Sequence, residues 1–430
     1  MVEYVDVKLW GVSVGAAYWE QKTKSASFEY YPNFIKKGLE VSPISMPLSS
    51  NIYSFPELNF KTFKGLPGLL ADSLPDKFGN DLINRWLAMQ GRESDSYSPI
   101  ERLLYLGKRS MGALEFEKAE KIGFNRTSTI EIDSLVKAAS IALDGKNKLN
   151  TNLNDEEKAL LEIIKVGTSA GGARAKAVIA FNDTTKEVRS GQSGAPKGFE
   201  HWLLKLDGVT NTVLGDPQHF GRIEYAYYKM AIQCGIEMTE CRLLEENNRA
   251  HFMTKRFDRV GEKEKIHMQT LCGLAHYDFN IPGAYSYEQL FMIMRQLRLP
   301  YKDAEQVYRR MVFNIVARNQ DDHTKNFSFL MDKEGIWRLA PAYDIAYSYN
   351  PSGEYTFRHQ MSVNGKTDNF IKQDLLAVAS SMHIKKPEAI IEEIIDSVAN
   401  WSKQAADVNI PSSIIESISK THLLNLRNLH

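Results

Sequence analysis

Cysteine is scarce in this 430-residue chain, with Cys234, Cys241 and Cys272 its three members. An odd number at these spacings makes neither a disulfide framework nor a close metal-ligand cluster, so buried free thiols in a reducing compartment are expected. Net charge is missing too. The 53 Lys and Arg cancel the 53 Asp and Glu, which removes any global electrostatic case for nucleic acid or membrane while leaving a local basic patch open. No segment approaches the ~18 apolar residues of a membrane span. The opening VEYVDVKLWG carries acid where a signal peptide needs a basic start and an apolar run. A cytoplasmic protein with no membrane partner is expected, and no tandem repeat is evident. What is present, 43% hydrophobic and 25% charged residues, is the composition of ordinary globular domains, with length for two or three of them.

Val5, Val7 and Leu9 alternate with Asp6, Lys8 and Trp10, and this period of two predicts a strand. The aromatic run Phe28 to Tyr31 stops at Pro32, so a small antiparallel sheet opens the chain. GLPGLLADSLPDKFGNDLINRWLAMQG then shows helical spacing through Leu82, Ile83, Trp86 and Leu87. Residues 1–120 therefore read as an α+β domain. The polar, aperiodic stretch from Gly145 to Asn154 reads as a linker, and Asn154 as the cap of a helix with Glu157 three positions on and Leu160, Leu161 and Ile164 inside it. Mixed strand and helix patterns fill 121–260, and helices dominate 261–430. Three helical patterns close the chain, in DLLAVASSM, PEAIIEEIIDSVANWSKQA and SSIIESISKTHLLNL.

Chemistry concentrates in two places. In RNQDDHTKN, Asp321 stands five residues before Asn326, and Asp344 follows in APAYD. One carboxylate to accept a hydroxyl proton, plus an amide oxygen and a second carboxylate to hold magnesium, is the set a protein-kinase-type phosphotransferase uses. The spacing alone is weak, because Asp and Asn also abound in turns. A helical pattern, AEQVYRRMVFNIVARN, leads into the loop, and two strands joined at Asp332 to Gly335 would return Asp344 toward Asn326.

The second place is the small-residue loop Gly167 to Lys176, followed by the apolar AVIAF. Its amides could approach phosphate oxygens, with Thr168, Ser169 and Lys176 as further donors, or it could be a plain glycine hairpin. It matches neither a Walker loop nor GxGxxG. Lys205 interrupts the apolar strand HWLLKL where kinase-like sites place a phosphate-binding lysine, although an alternating strand can simply point a lysine at solvent. Glu224 near the start of the next helix is either the partner of such a lysine or an ordinary first-turn acid. The segment from His251 to Arg259 reads as a strand at the connection of two lobes, with Phe257 either stacking on adenine or filling core.

These motifs in this order resemble the HipA-type serine/threonine kinases, toxins of bacterial toxin–antitoxin pairs. The resemblance runs from FKGLPGLLADSLPD through SAGGARAK, LLKLD, TKRFDR, QTLCGL and NQDDHTKNFSFL to APAYDI. It implies an α+β, kinase-like two-lobed fold. The parts would be a small N-terminal α/β domain, a mixed nucleotide-binding lobe and a largely α-helical C-terminal lobe. It also implies ATP and Mg²⁺ as cofactors, Asp321 as catalytic residue, and Asn326 and Asp344 as metal ligands. Ala170, Gly171, Gly172, Ala173, Lys176, Lys205, Lys255, Phe257 and Asp344 would bind ATP. Lys255 stands where several members have glutamate, which a hinge using main-chain groups tolerates. Ser169, or alternatively Thr168, would be the self-phosphorylated residue, and Glu224 and His323 would support, His323 by bracing the loop through hydrogen bonds. The implied partners are a HipB-like helix-turn-helix antitoxin, operator DNA through that complex, and a protein target such as an aminoacyl-tRNA synthetase. A catalytically silent nucleotide-binding subunit of an antitoxin–DNA repressor is the rival reading.

Overall fold

The computed structural model describes residues 4–75, 77–89, 91, 97–117, 132–143, 175–191, 194–209 and 219–427. The linker and helix expected over 145–164 and the loop residues Thr168, Ser169, Ala170, Gly171, Gly172 and Ala173 lie outside them. The architecture is α+β, in two compact units. One comprises Met1–Val41, Met46–Gly221 and Glu240–Met268, the other Ser42–Ser45, Arg222–Thr239 and Gln269–His430.

The first unit holds two five-stranded sheets. In the first, β1 (Tyr4–Leu9), β2 (Val12–Glu20), β3 (Ser25–Tyr30), β4 (Tyr53–Ser54) and β5 (Leu114–Glu117) take the order β4-β3-β2-β1-β5. The predicted alternation in β1 is real: Val5, Val7 and Leu9 are buried, and Asp6 and Lys8 are half-buried. Leu9 pairs with Val12 across a two-residue turn in which Trp10 (φ 51°) and Gly11 (φ 80°) both have positive φ. That is the turn geometry whose twist matches a hairpin, and it is costly for a tryptophan. The Trp10 indole Nε1 donates to the Lys265 carbonyl at 2.7 Å, which holds the side chain in that position.

In the second sheet, β6 (Lys176–Phe181), β7 (Val188–Ser190), β8 (Glu200–Lys205), β9 (Cys241–Glu246) and β10 (Arg249–Lys255) take the order β7-β6-β8-β10-β9. Strand register puts Ala177, Ile179, Trp202, Leu204 and Met253 on one face. These pack on Phe78 and Leu82 of the helix Lys77–Met89 and on Leu135, Val136 and Ala139 of the helix Ile132–Leu143. At about 1.5–3 kcal/mol per large apolar side chain, burial of this face anchors the sheet.

The strand expected over His251 to Arg259 is two pieces. β10 stops at Lys255, and Arg259–Val260 (β11) pairs with Glu264–Lys265 (β12). The break comes from charge. Asp258, 1% exposed, accepts from Arg256 Nε (2.9 Å) and Nη2 (2.7 Å), Arg259 Nη1 (2.6 Å) and the Gly112 amide (2.7 Å). Arg259 donates onward to the carbonyls of Ser110 and Gly112, both at 2.9 Å. A buried carboxylate needs this many donors, and satisfying them pulls the RFDR backbone out of the ladder.

The second unit is mainly helical. The helix Phe220–Gln233 enters it from the boundary, and Tyr287–Gln296, Tyr301–Val316, Lys372–Met382 and Pro387–Ala399 follow. Ser286 and Gln289 form a capping box at the start of Tyr287–Gln296. The helix Tyr301–Val316 packs on Pro387–Ala399, burying Tyr308, Met311, Ile315, Ile391, Ile394 and Val398. The strands Ser328–Met331 and Trp337–Leu339 form the predicted hairpin, with Gly335 at φ 83° and Asp332 Oδ1 accepting from the Glu334 and Ile336 amides. Two of the three terminal helices end sooner than their patterns predict. PEAIIEEIIDSVANWSKQA breaks at Asn400, whose side-chain Nδ2 takes the Asp396 carbonyl at 3.0 Å, and a separate helix Trp401–Ala406 follows. The next helix, Ser412–Ser419, ends where Thr421 Oγ1 takes the Ile418 carbonyl at 2.7 Å. Side-chain groups compete for backbone carbonyls in both cases, which periodicity does not register.

Candidate active site

The loop that carries Asp321 is prepared by the end of the helix before it. Tyr227, wholly buried, donates its hydroxyl to the Ala317 carbonyl at 2.7 Å, closing the last turn. Arg318 takes φ 56° and turns the chain. Its Nε donates to the Thr421 carbonyl (2.9 Å), and its guanidinium lies 4.6 Å from the Tyr349 ring centroid. Asn319 Nδ2 donates to Asn314 Oδ1 at 2.9 Å, tying the loop back to the helix.

The neighbouring carboxylates differ sharply. The Asp321 side chain is 50% exposed and that of Asp322 is 0% exposed. Asn326 Nδ2 donates to the Asp321 carbonyl at 2.7 Å. This bond clamps the loop backbone and commits the amide nitrogen, so Oδ1 is the atom of Asn326 suited to a cation. Tyr343 Oη donates to the Lys325 carbonyl at 2.6 Å, so the residue before Asp344 is bonded to the residue before Asn326. The Ala342 amide donates to the Glu237 carbonyl (2.8 Å), and Asp344 is half-buried at φ 53°. A non-glycine residue at that angle stores backbone strain, as functional sites often do.

His323 makes its contacts through its ring. Its Nε2 is 3.7 Å from Asp321 Oδ1, too long for a hydrogen bond, and its buried Nδ1 has no hydrogen-bond partner among the described residues. The imidazole tilts against Phe279 with centroids 5.2 Å apart, and Lys325 Nζ lies 4.9 Å from the same phenyl centroid. Aromatic and cation–π packing takes the place of the expected hydrogen bonds.

In the first unit, Lys176 pairs with Lys205 and Lys205 with Phe252 across adjacent strands. Directly opposed residues share a face, so the two lysines stand side by side on the face opposite Trp202 and Leu204. Lys176 is the first residue of β6 rather than part of the loop, and it is 2% exposed. Lys205 is half-buried with Nζ 5.7 Å from the Phe252 ring centroid. Lys255 pairs with Trp202, so its side chain is on the other face, ion-paired with Glu200. Its amide donates to the Glu240 carbonyl at 2.8 Å. Phe257 is half-buried just beyond β10. In the second unit Glu224 is 3% exposed and sits beyond the first turn of its helix, which removes the reading as a surface first-turn acid.

Asp322, Tyr287 and His359 escaped sequence reasoning. The Asp321–Asp322 doublet was their one signal, and it does not say which carboxylate turns inward. Among the described residues no group of three or more His, Cys, Asp and Glu forms a metal cage. No helix among them is long and apolar enough to cross a membrane.

Residues 5–117 match the HipA N-terminal domain and residues 168–406 the HipA-like C-terminal domain. The chain belongs to the HipA family. The HipA of Shewanella oneidensis MR-1, solved with HipB and its operator DNA, superposes with a TM-score of 0.68 at 16% identity, covering 98% of this chain and 96% of that one. The expected HipA-like α+β fold is thereby shown. A candidate kinase of Haemophilus influenzae is 23% identical over 247 residues, 48% of this chain and 70% of the relative. A candidate kinase of Sinorhizobium fredii is 26% identical over 126 residues, 27% of this chain and 30% of the relative.

Proposed function

We propose that this HipA-family chain is an ATP- and Mg²⁺-dependent serine/threonine protein kinase that acts as a growth-inhibiting toxin. The observation that carries the reading is Asp321: half-exposed, on a loop bonded to its carrier helix, with Asn326 clamping its backbone. The Asp321 carboxylate orients a substrate hydroxyl and takes its proton as the oxygen bonds to the γ-phosphorus; the bond from that phosphorus to the β,γ-bridging oxygen breaks, and ADP leaves. Lys205 and Lys176 balance phosphate charge, and Lys205 would be oriented by Glu224. Asn326 Oδ1 and the Asp344 carboxylate would hold Mg²⁺, a hard cation that suits two protein oxygens supplemented by phosphate oxygens and water. When bound, the ion neutralises charge developing on the phosphates.

Ala170, Gly171, Gly172 and Ala173 would cradle the phosphates, Lys255 and Phe257 would border the adenine, and Ser169 or Thr168 would be the chain's own phosphorylation site. The Shewanella relative assembles with HipB on operator DNA. By analogy, a HipB-like antitoxin and operator DNA are the proposed partners, with an aminoacyl-tRNA synthetase as the proposed target in the cytoplasm.

Incubation with γ-labelled ATP and Mg²⁺ tests the reading. Label on Ser169 or Thr168, absent in Asp321→Asn, supports it. Retained ATP binding with no transfer to the chain or to any protein in a wild-type against Asp321→Asn phosphoproteome would establish the silent nucleotide-binding subunit instead.

A further inference from the structure

Asp322 takes no part in the phosphoryl-transfer scheme, yet it is buried in the middle of the loop with three donors around it. Its Oδ2 accepts from Tyr287 Oη at 2.8 Å and from His359 Nδ1 at 2.9 Å, and its Oδ1 accepts from the Gln360 amide at 2.8 Å. The side chains of Asp322 and His359 are both 0% exposed. An ionised carboxylate only accepts, so His359 carries its proton on Nδ1. The other ring nitrogen has no hydrogen-bond partner among the described residues, and the imidazole meets Phe370 edge-on at 5.3 Å. The network continues: Asn314 Nδ2 donates to Tyr287 Oη at 3.0 Å, and Asn319 Nδ2 donates to Asn314 Oδ1 at 2.9 Å.

Asn314 lies on the helix that leads into the loop, Tyr287 begins the helix Tyr287–Gln296, and His359 and Gln360 directly precede the strand Met361–Ser362. Two separate parts of the second unit are therefore bonded to one carboxylate, a single peptide away from Asp321, and the helix carrying Asn314 reaches it through Tyr287. A buried charge with three directed bonds has one low-energy orientation, because rotating it strands the carboxylate and its donors without water. The peptide that joins it to Asp321 inherits that orientation.

We propose that Asp322 and His359 are a positioning pair that aims the Asp321 carboxylate at the substrate hydroxyl, an inference that rests on the reading of Asp321 as the proton acceptor. Neither residue touches substrate. Asp322 holds the loop, and His359 holds Asp322 through Nδ1. Small misplacements of a catalytic group are expensive, about 10²-fold for 1 Å.

Two substitutions at His359 separate positioning from packing. The amide nitrogen of Asn can reach the place of Nδ1, whereas that of Gln reaches the place of Nε2. Label transfer from γ-labelled ATP, followed against ATP concentration, gives a maximal rate and a half-saturating concentration for each variant, with thermal unfolding monitored in parallel. His359→Gln and Asp322→Asn are expected to lower the maximal rate by about tenfold or more and leave half-saturation within about twofold, while His359→Asn stays within about threefold of wild type. Tyr287→Phe removes one donor and no charge; it keeps the test alive if His359→Gln does not fold, and its expected loss is about threefold. A folded His359→Gln with the wild-type maximal rate, or equal losses for the Asn and Gln variants, would overturn the pairing while leaving Asp321 in place. An Asp321→Asn protein with full activity would instead overturn the base reading on which the pairing rests.

Discussion

Lys176 and Lys205 sit on adjacent strands, where register and burial force two like charges together. Asp321 sits on a loop, where the Asn326 side chain bonds its carbonyl and Asn319 ties the chain back to the preceding helix. On the proposed reading the strand lysines serve nucleotide binding and the loop acid serves the chemistry. Binding and chemistry thus draw on different physics, and substitutions in each should fail differently. The buried acids repeat the contrast. Asp258 is neutralised by two arginines and Asp322 by dipolar donors.

The largest expected effect is on rate alone. Asp321→Asn should slow phosphoryl transfer by about 10²–10⁴-fold while nucleotide affinity, measured by calorimetry, stays near wild type. A parallel loss of affinity would blur the contrast, because it would mean that the loop also binds. In the first unit, Asp258→Ala should cost about 3–5 kcal/mol in urea unfolding, since Arg256 and Arg259 would be left buried and uncompensated. The arginines hold the Asp258 carboxyl far below its usual range despite burial, which is the first and opposing influence on it. Its contribution is therefore present above the ordinary carboxylate pKa and is lost only in strong acid.

Lys205→Met should weaken ATP binding by about 1.5–3 kcal/mol, the worth of a charged hydrogen bond, and leave the rate at saturating ATP much less affected. If the maximal rate fell as far as in Asp321→Asn, the division between binding and chemistry would be wrong. The smallest effect, taken per group and per pH unit, is an acid sensitivity common to both units. Burial pushes His201, His267 and His422 down from 6.5 to about 4. The unfolded chain takes up these protons as pH falls through 6.5, and the folded chain does not until about 4. Each histidine thus contributes fully above pH 6.5 and loses about 1.4 kcal/mol per pH unit at most in between. Thermal unfolding at pH 7, 6 and 5 checks the sign, and a midpoint that rose with acid would contradict it.

Much of the fold was legible because its signals are local. A period of two marked β1, helical spacing marked the approach to the loop, and turn residues marked the hairpin of Ser328–Met331 and Trp337–Leu339. The loop placement of Asp321 followed from the same kind of evidence, whereas Asn326 closes the short 3₁₀ turn Thr324–Asn326. The break in RFDR was not legible, because the Asp258 and Arg259 groups that make it are completed by Ser110 and Gly112, far away in sequence. Lys255 could not be assigned a face until the register of β8 and β10 was known. The premature end at Asn400 turned on one side-chain bond to a carbonyl.

By itself the sequence determined which chemistry was on offer: the spacing of Asp321, Asn326 and Asp344, a lysine in an apolar strand, and the order of motifs that identifies the family. Tertiary structure decided which member of each ambiguous pair faced where. It turned Asp322 inward and left Asp321 half-exposed, brought Lys176 beside Lys205, and set His323 against Phe279. Composition and spacing are properties of the chain, whereas orientation depends on donors, rings and strands supplied by distant segments. In a buried interior an unpaired polar group costs enough to make that orientation unique.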